Sequence, residues 1–313
     1  LGAFATGFLL YGMALIYGST GSTKLSIITK VISEDKIISE PLMLMGVVLL
    51  IIGFGFKIAA VPFHMWAPDV YQGAPTPVTA FMAVGPKAAS LAAFYRIMSE
   101  TMPELSYSWE ILLCVISVLS MFIGNLGAIM QTNIKRLLAF SSVAHVGYLI
   151  IAIIAKNSLS ASSLMFYMLT YAFMVFGIFS IVILLGRKGE ENLELENYSG
   201  LAYKHPVIAL TMTIFLLSLG GLPPLAGFVA KFYIFSAALK EGYLILVIIA
   251  VLNSAISFYY YLKVIVFMYM KEPVKEFHIN LTPMTLVVIA IAAFGTIQLG
   301  IFPDPIIALA EAN

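Results

Sequence analysis

Residues 41–68 read PLMLMGVVLLIIGFGFKIAAVPFHMWAP, and the fold turns on how that stretch is taken. It is apolar almost throughout, with Lys57 its only lysine and Pro62 five residues later. A straight helix crosses a bilayer core in about 20 residues, so the stretch is too long for one. A second such stretch lies at 205–239, where Gly220-Gly221-Leu222-Pro223-Pro224-Leu225-Ala226-Gly227-Phe228 interrupts the apolar run shortly before Lys231. Proline removes a backbone donor and clashes with the preceding turn, and paired glycines loosen the helix further. The freed amides and carbonyls cannot face lipid, so such breaks belong inside a bundle or against a wet cavity. One break alone is as readily a harmless kink. Two, in separate parts of the chain and each near a lysine, point to a transporter made of related halves.

Working outward, the whole chain is of the same character. Of its 313 residues 61% are hydrophobic and 11% charged, with a mean hydropathy of +1.00. Soluble domains carry roughly 25% charged residues, so this composition leaves too little polar side chain to coat a water-facing surface. A net charge of +1, from 17 Lys+Arg and 16 Asp+Glu, argues against nucleic acid, which requires a basic surplus on one face. The single cysteine, Cys114, can form neither an intrachain disulfide nor a four-cysteine iron–sulfur or zinc site. No basic n-region or cleavage site precedes the opening apolar run, so that run is not a signal peptide, and a start at Leu1 in mid-run reads as that of a fragment.

Runs free of charge, merged across single charges, predict an all-α polytopic membrane protein with nine transmembrane helices. They fall at about 1–18, 41–68, 76–99, 109–131, 134–155, 162–186, 205–239, 243–270 and 283–303. The polar stretches 19–40, 186–204 and 270–282 are short loops, so residues 1–313 form one membrane domain with its discontinuous helices near 41–68 and 205–239. Cations near the helix ends indicate orientation. One side has six (Lys24, Lys30, Lys36, Arg96, Lys156, Lys240) and the other eight (Lys135, Arg136, Arg187, Lys188, Lys204, Lys263, Lys271, Lys275), which favours the second side as cytoplasmic.

The three remaining cations are the informative ones. Lys57 lies late in the second span, Lys87 near the middle of the third, and Lys231 just past the second break. At roughly 2.5–3.5 kcal/mol for each central lysine, three of them cost roughly 7–11 kcal/mol unless water or partners offset it. Snorkelling is the bland alternative for Lys57 and Lys231, but Lys87 has about ten apolar residues on either side. Burial disfavours the charged form of a lysine, which makes such groups able to exchange protons. His64, two residues beyond Pro62, and His145, within Ser141–Tyr148, are candidate intermediate stations, although a lone histidine on an apolar face is more often a packing residue. His205 and His278 sit at span edges and are assigned no role. Ser141 and Ser142 read as helix-packing hydroxyls and Tyr259-Tyr260-Tyr261 as an interfacial belt. All 16 acids fall in loops or at span ends, Asp69 being the deepest, so a carboxylate partner for the first lysine is expected on a helix this chain lacks. No strand-linked GxGxxG, Walker A or HExxH sequence is present.

Three segments carry a resemblance. They are Phe56-Lys57 with Val61-Pro62-Phe63-His64-Met65-Trp66-Ala67-Pro68-Asp69-Val70-Tyr71-Gln72-Gly73-Ala74-Pro75-Thr76-Pro77-Val78, then Gln131-Thr132-Asn133-Ile134-Lys135-Arg136-Leu137-Leu138 with Ser141–Tyr148, and Leu217–Phe232. Together they resemble the subunit N family of bacterial NADH–quinone oxidoreductase, respiratory complex I, essentially end to end. The Val70-Tyr71-Gln72-Gly73 turn separates this pattern from the paralogous subunits L and M and from sodium/proton antiporter subunits.

The resemblance implies an antiporter-like fold of two inverted five-helix repeats, each with one discontinuous helix, the nine helices here matching the sixth to fourteenth of fourteen. It implies that Lys57, Lys87 and Lys231 are the relay lysines of the seventh, eighth and twelfth helices, with His64 and His145 on a hydrated central axis. An essential glutamate would pair with Lys57 from a helix upstream of Leu1. Quinone reduction elsewhere would shift that pairing and drive proton exchange along the lysines. No cofactor is expected in this chain, with NADH, FMN, iron–sulfur clusters and quinone on other subunits. Expected partners are subunit M, the small subunits K, J and A, the lipid bilayer and internal water. The expected location is the bacterial inner membrane, with the C-terminus outside. A cation/proton antiporter subunit, a ferredoxin- or coenzyme-F420-linked relative, and an inert spacer of the membrane arm remain alternatives.

Overall fold

The computed structural model describes residues 2–35, 40–186, 193–274 and 282–311. Lys36, Arg187, Lys188 and Lys275 of the orientation count, and His278, lie outside them. The described residues form α1 (Gly2–Thr20), α2 (Leu25–Asp35), α3 (Pro41–Ile58), α4 (Trp66–Gly73), α5 (Thr76–Tyr95), α6 (Ser106–Ile129) and α7 (Ile134–Ala155). These are followed by α8 (Ser158–Leu185), α9 (Leu201–Lys204), α10 (Pro206–Gly220), α11 (Ala226–Lys240), α12 (Leu244–Met270), α13 (Pro283–Ile301) and α14 (Asp304–Glu311). An isolated bridge between Asn133 and Glu194 is the one β pairing among them.

Eight helices are long and apolar enough to cross a membrane: α1, α3, α5 with its π-helical continuation Arg96–Thr101, α6, α7, α8, α12 and α13. The remaining expected crossing is shared by α10 and α11, each of 15 residues. Fifteen residues rise about 22 Å, short of a bilayer core of about 30 Å, so neither half spans alone.

Two boundaries differ from the sequence expectation. The stretch 19–40 is not merely a loop, since it contains α2, whose apolar Ile28 and Ile32, one turn apart, are buried while Lys30, Ser33 and Glu34 stay outside or half-covered. The first break is also longer than placed: α3 stops at Ile58, and a new helix, α4, runs on to Gly73. Pro68 is compatible with α4 because it lies in the first turn, where the backbone amides have no intrahelical partner.

The bundle is organised around α7. From Leu137 to Ala155 nearly every residue is buried, whereas the surrounding helices turn Phe81, Ile111, Leu126, Leu169, Ile248 and Val287 outward. α4, α5, α6, α8, α11 and α12 all pack against α7. A helix with apolar residues around its whole circumference belongs in such a position, and the few polar side chains of α7 must then find partners inside the bundle. Its closest neighbour is α6, where small residues let the backbones approach, as is common between helices in lipid. Ser117 Oγ donates to the Gly147 carbonyl at 2.7 Å. A Cβ on Gly147 would stand 2.6 Å from Met121 Cγ and 2.7 Å from the Ser117 carbonyl, while one on Gly7 of α1 would meet nothing within 4 Å.

Gly147→Leu is therefore expected to destabilise the bundle by about 1–3 kcal/mol through overpacking, with Gly7→Leu near neutral. Thermal unfolding in detergent checks both, and equal melting temperatures would remove α6–α7 contact as the organising interface.

Candidate functional site

Both helix breaks end their first half in a left-handed residue. At the first, Ala59 has φ 60° and α3 closes through Ala60 N–H donating to the Gly55 carbonyl at 2.8 Å. The segment beyond is tied by Val61 N–H to Ser120 Oγ at 3.0 Å and by Trp66 Nε1 to the Phe56 carbonyl at 3.0 Å. At the second, Gly221 has φ 94°, a conformation that glycine adopts at no steric cost. Pro62 lies in the first break and Pro223 and Pro224 in the second, as expected.

Lys231 turns back from the second turn of α11 onto the end of α10. Its ammonium donates to the carbonyls of Leu219 (3.0 Å) and Gly220 (2.8 Å) and to Ser254 Oγ (2.8 Å), so three donors meet three acceptors. The negative end of the α10 dipole favours a cation there. The Tyr148 ring faces the same ammonium, with its centroid at 5.0 Å.

Lys87 follows Pro86 inside α5, is 3% exposed, and donates to Ser142 Oγ at 2.7 Å. Ser142 passes its own hydrogen to the Ala139 carbonyl at 2.6 Å. The ring of Tyr71, carried by α4, lies 5.8 Å from the ammonium. Among the described residues, neither Lys87 nor Lys231 has a carboxylate partner.

His145 occupies the space between. Its Nδ1 lies 2.6 Å from the Tyr167 hydroxyl and its Nε2 3.1 Å from that of Tyr261, which in turn meets Ser141 Oγ at 2.5 Å. A neutral imidazole has one donor and one acceptor, so one tyrosine donates to the ring and the other accepts from it. Because each hydroxyl can donate or accept, the two tyrosines are compatible with either neutral tautomer of the ring. Tyr148 separates His145 from Lys231, its ring edge-on to the imidazole at 5.9 Å. Ser141, His145 and Tyr148 stand at i, i+4 and i+7 on one face of α7, and Ser142 stands beside them.

The structure thus brings Lys87, His145 and Lys231 to the buried axis, but two expected members stand apart. Lys57 is exposed, lining an open cavity of about 600 Å³ with Phe56, Trp66, Asp69 and Pro86. Among the described residues Lys57 is thus not enclosed as Lys87 and Lys231 are. His64 is half-buried beside Phe140, and its Nδ1 has no hydrogen-bond partner among the described residues. Asp69 is a span-end acid as expected, paired with Arg136 at 2.6 Å.

Sequence reasoning missed several groups. Ser141 and Ser142 are polar partners of the axis as well as packing residues. Tyr259 is 62% exposed and suits an interfacial belt, but Tyr260 and Tyr261 are wholly buried. Tyr260 donates to Asn125 Oδ1 at 3.0 Å, and Asn125 Nδ2 donates to the carbonyl of Asn253 at 2.9 Å. Lys135, counted with the loop cations, is fully buried and donates to the Ala74 carbonyl at the end of α4. The periodicity of α12 held the only signal: 253, 257, 260 and 264 share a face, and that face is buried. Just outside α12, burial and then the nearby Glu110 push the Tyr243 phenol up, keeping it protonated. No group of three or more His, Cys, Asp or Glu side chains able to hold a metal occurs among the described residues.

A family model described as NADH:quinone oxidoreductase/Mrp antiporter, transmembrane, matches residues 1–257. The chain belongs to that family. It is 49% identical over 312 residues to NADH-quinone oxidoreductase subunit N of Trichlorobacter lovleyi, a match covering 99% of this chain and 64% of that protein. The chain therefore spans somewhat less than two thirds of the length of that relative. Among solved structures, a chain of respiratory complex I from Thermus thermophilus superposes with a TM-score of 0.84 at 37% identity, covering 98% of this chain and 66% of that one. A chain of the Mrp complex from Dietzia sp. superposes with a TM-score of 0.85 over 99% of this chain and 65% of that one, at 23% identity, a likeness of fold alone. The expected fold class, all-α and antiporter-like with discontinuous helices, is that of the NADH:quinone oxidoreductase/Mrp antiporter family, and the chain is a multi-pass membrane protein.

In this family member, removing Asn125 leaves the Tyr260 hydroxyl and the Asn253 Oδ1 without the partner each has in the core. Asn125→Leu is expected to cost about 1–3 kcal/mol for each polar group left unsatisfied, and Tyr260→Phe less. Denaturation of the two variants in the same detergent gives the comparison, and equal losses would contradict the shared network.

Proposed function

We propose that the chain acts as a proton-translocating membrane-arm subunit of an NADH:quinone oxidoreductase, in which Lys57, Lys87, His64, His145 and Lys231 pass protons through the bundle. The observation that carries this reading is the enclosure of Lys87 and Lys231, 3% and 4% exposed, by neutral partners on either side of His145. An ammonium without a carboxylate is costly at this depth, and intramembrane ionisable groups of this kind mark ion pathways. Lys87 and Ser142 form one arm, Ser141, Tyr261, His145 and Tyr167 the centre, and Tyr148, Lys231 and Ser254 the other arm. Internal water completes the steps between them.

Lys57 is the entry to the relay. Its open cavity is where a carboxylate from elsewhere in the assembly would meet it, and the chain's 64% coverage of its relative leaves room for one in the longer protein. A change in that pairing, driven by quinone reduction on other subunits, would release Lys57 to exchange with Lys87. NADH, FMN, iron–sulfur clusters and quinone would bind other subunits. Residues 1–313 act as one membrane domain beside subunit M and the small subunits K, J and A. The chain lies in the bacterial inner membrane, with Lys135, Arg136, Lys204, Lys263 and Lys271 on the cytoplasmic side and the C-terminus outside.

Lys57→Ala and Lys87→Ala are each expected to abolish proton pumping and coupled turnover while NADH oxidation by an artificial acceptor persists. Pumping by the assembled complex in proteoliposomes is the measurement, and unchanged pumping in both variants would overturn the relay and favour an inert spacer. Rescue of sodium-dependent growth by the isolated subunit would favour a cation/proton antiporter instead.

A further inference from the structure

Between α5 and α8, on the outer face of the bundle, runs a groove of about 350 Å³ that the relay does not use. Ala88 and Met168 line it deepest in the span, Ala92, Leu164 and Met165 line its middle, and Ala161 lines it near the start of α8. The alanines at 88 and 92, one turn apart, and at 161 leave room where larger side chains would fill the gap. Arg96 and Glu100 line the other end, within the last six residues of the span Thr76–Thr101. This is the depth at which a headgroup meets a protein, and the α8 end is adjacent to the loop carrying Lys156.

The two charges have a particular arrangement. Arg96 and Glu100 are both exposed, and among the described residues neither takes part in an ion pair, with each other or with any third group. The segment that carries them is π-helical and fastened to α7 by Ser99 Oγ, which donates to the Ile153 carbonyl at 3.0 Å. The rim is therefore anchored, with one cation and one anion side by side above an apolar slot. An anionic lipid would satisfy Arg96 and oppose Glu100. A zwitterionic lipid with a primary ammonium satisfies both, since guanidinium pairs with phosphate and carboxylate accepts from ammonium.

We propose that this groove binds one phosphatidylethanolamine molecule, its phosphate on Arg96, its ammonium on Glu100 and an acyl chain between α5 and α8. The site stands independently of the proton relay and holds whichever ion the assembly moves.

The test is lipid retention by the full-length chain purified with its native partners in mild detergent, washed repeatedly and extracted for mass spectrometry. Wild type is expected to keep one phosphatidylethanolamine equivalent that Arg96→Gln and Ala92→Phe lose, the latter by filling the slot with the charges intact. Glu100→Gln is expected to exchange that lipid for phosphatidylglycerol. Equal phosphatidylethanolamine in all four proteins overturns the proposal, as does wild type holding phosphatidylglycerol equally well. A photo-crosslinker at position 92 that captures a neighbouring protein chain and no lipid also overturns it, because the groove is then a subunit contact.

Discussion

The Lys231 ammonium rests on the open carbonyls of Leu219 and Gly220, and much of the second half of the bundle follows from that contact. A helix that stops in hydrocarbon leaves carbonyls that lipid cannot satisfy. A lysine at the same depth has an ammonium that lipid cannot satisfy either. Placed together, each removes the other's penalty, and α11 must then fold back tightly on α10. Gly227 allows this, since any Cβ there would collide with the Ser218 carbonyl, and Gly300 of α13 gives the same clearance beside Pro224. The first break is closed without its own lysine, Trp66 donating to the Phe56 carbonyl, while Lys135 covers the Ala74 carbonyl at the far end of α4; among the described residues Lys57 engages neither.

α7 supplies the line along which such groups can communicate. Its surroundings are apolar, but one face carries Ser141, His145 and Tyr148, flanked by Ser142, and each meets a polar or aromatic group from a different neighbour. Burial on every side keeps bulk water out, while the hydroxyls of Tyr167 and Tyr261 can each donate or accept. Close packing on α6 through Gly147 and Gly124 holds this face in register, so the proposed relay depends on the same small-residue interface that organises the fold.

Much was legible in the chain without coordinates. Apolar run length separates spans from loops because the bilayer sets a fixed distance, and eight of the nine expected stretches hold a helix long and apolar enough to cross, while 205–239 is divided into α10 and α11. The helix breaks were legible because proline and paired glycine act locally on the backbone. Lys87 and Lys231 stood out because a charge inside an apolar run is visible in one dimension. α2 was not: its two buried isoleucines are too few for a span signal, and its role is set by the surface it lies on.

The sequence by itself therefore determined a helical membrane protein with two interrupted helices and misplaced-looking cations, since length, hydropathy and backbone chemistry need no partner to be read. Only the tertiary structure decided that Tyr261 faces His145 while Tyr259 faces outward, that Ser142 receives Lys87, and that Lys57 lies on an open face. Those outcomes depend on how helices rotate about their own axes when they pack. Rotation is set by contacts between residues distant in the chain, as in Asn125 with Asn253, and no local pattern encodes it.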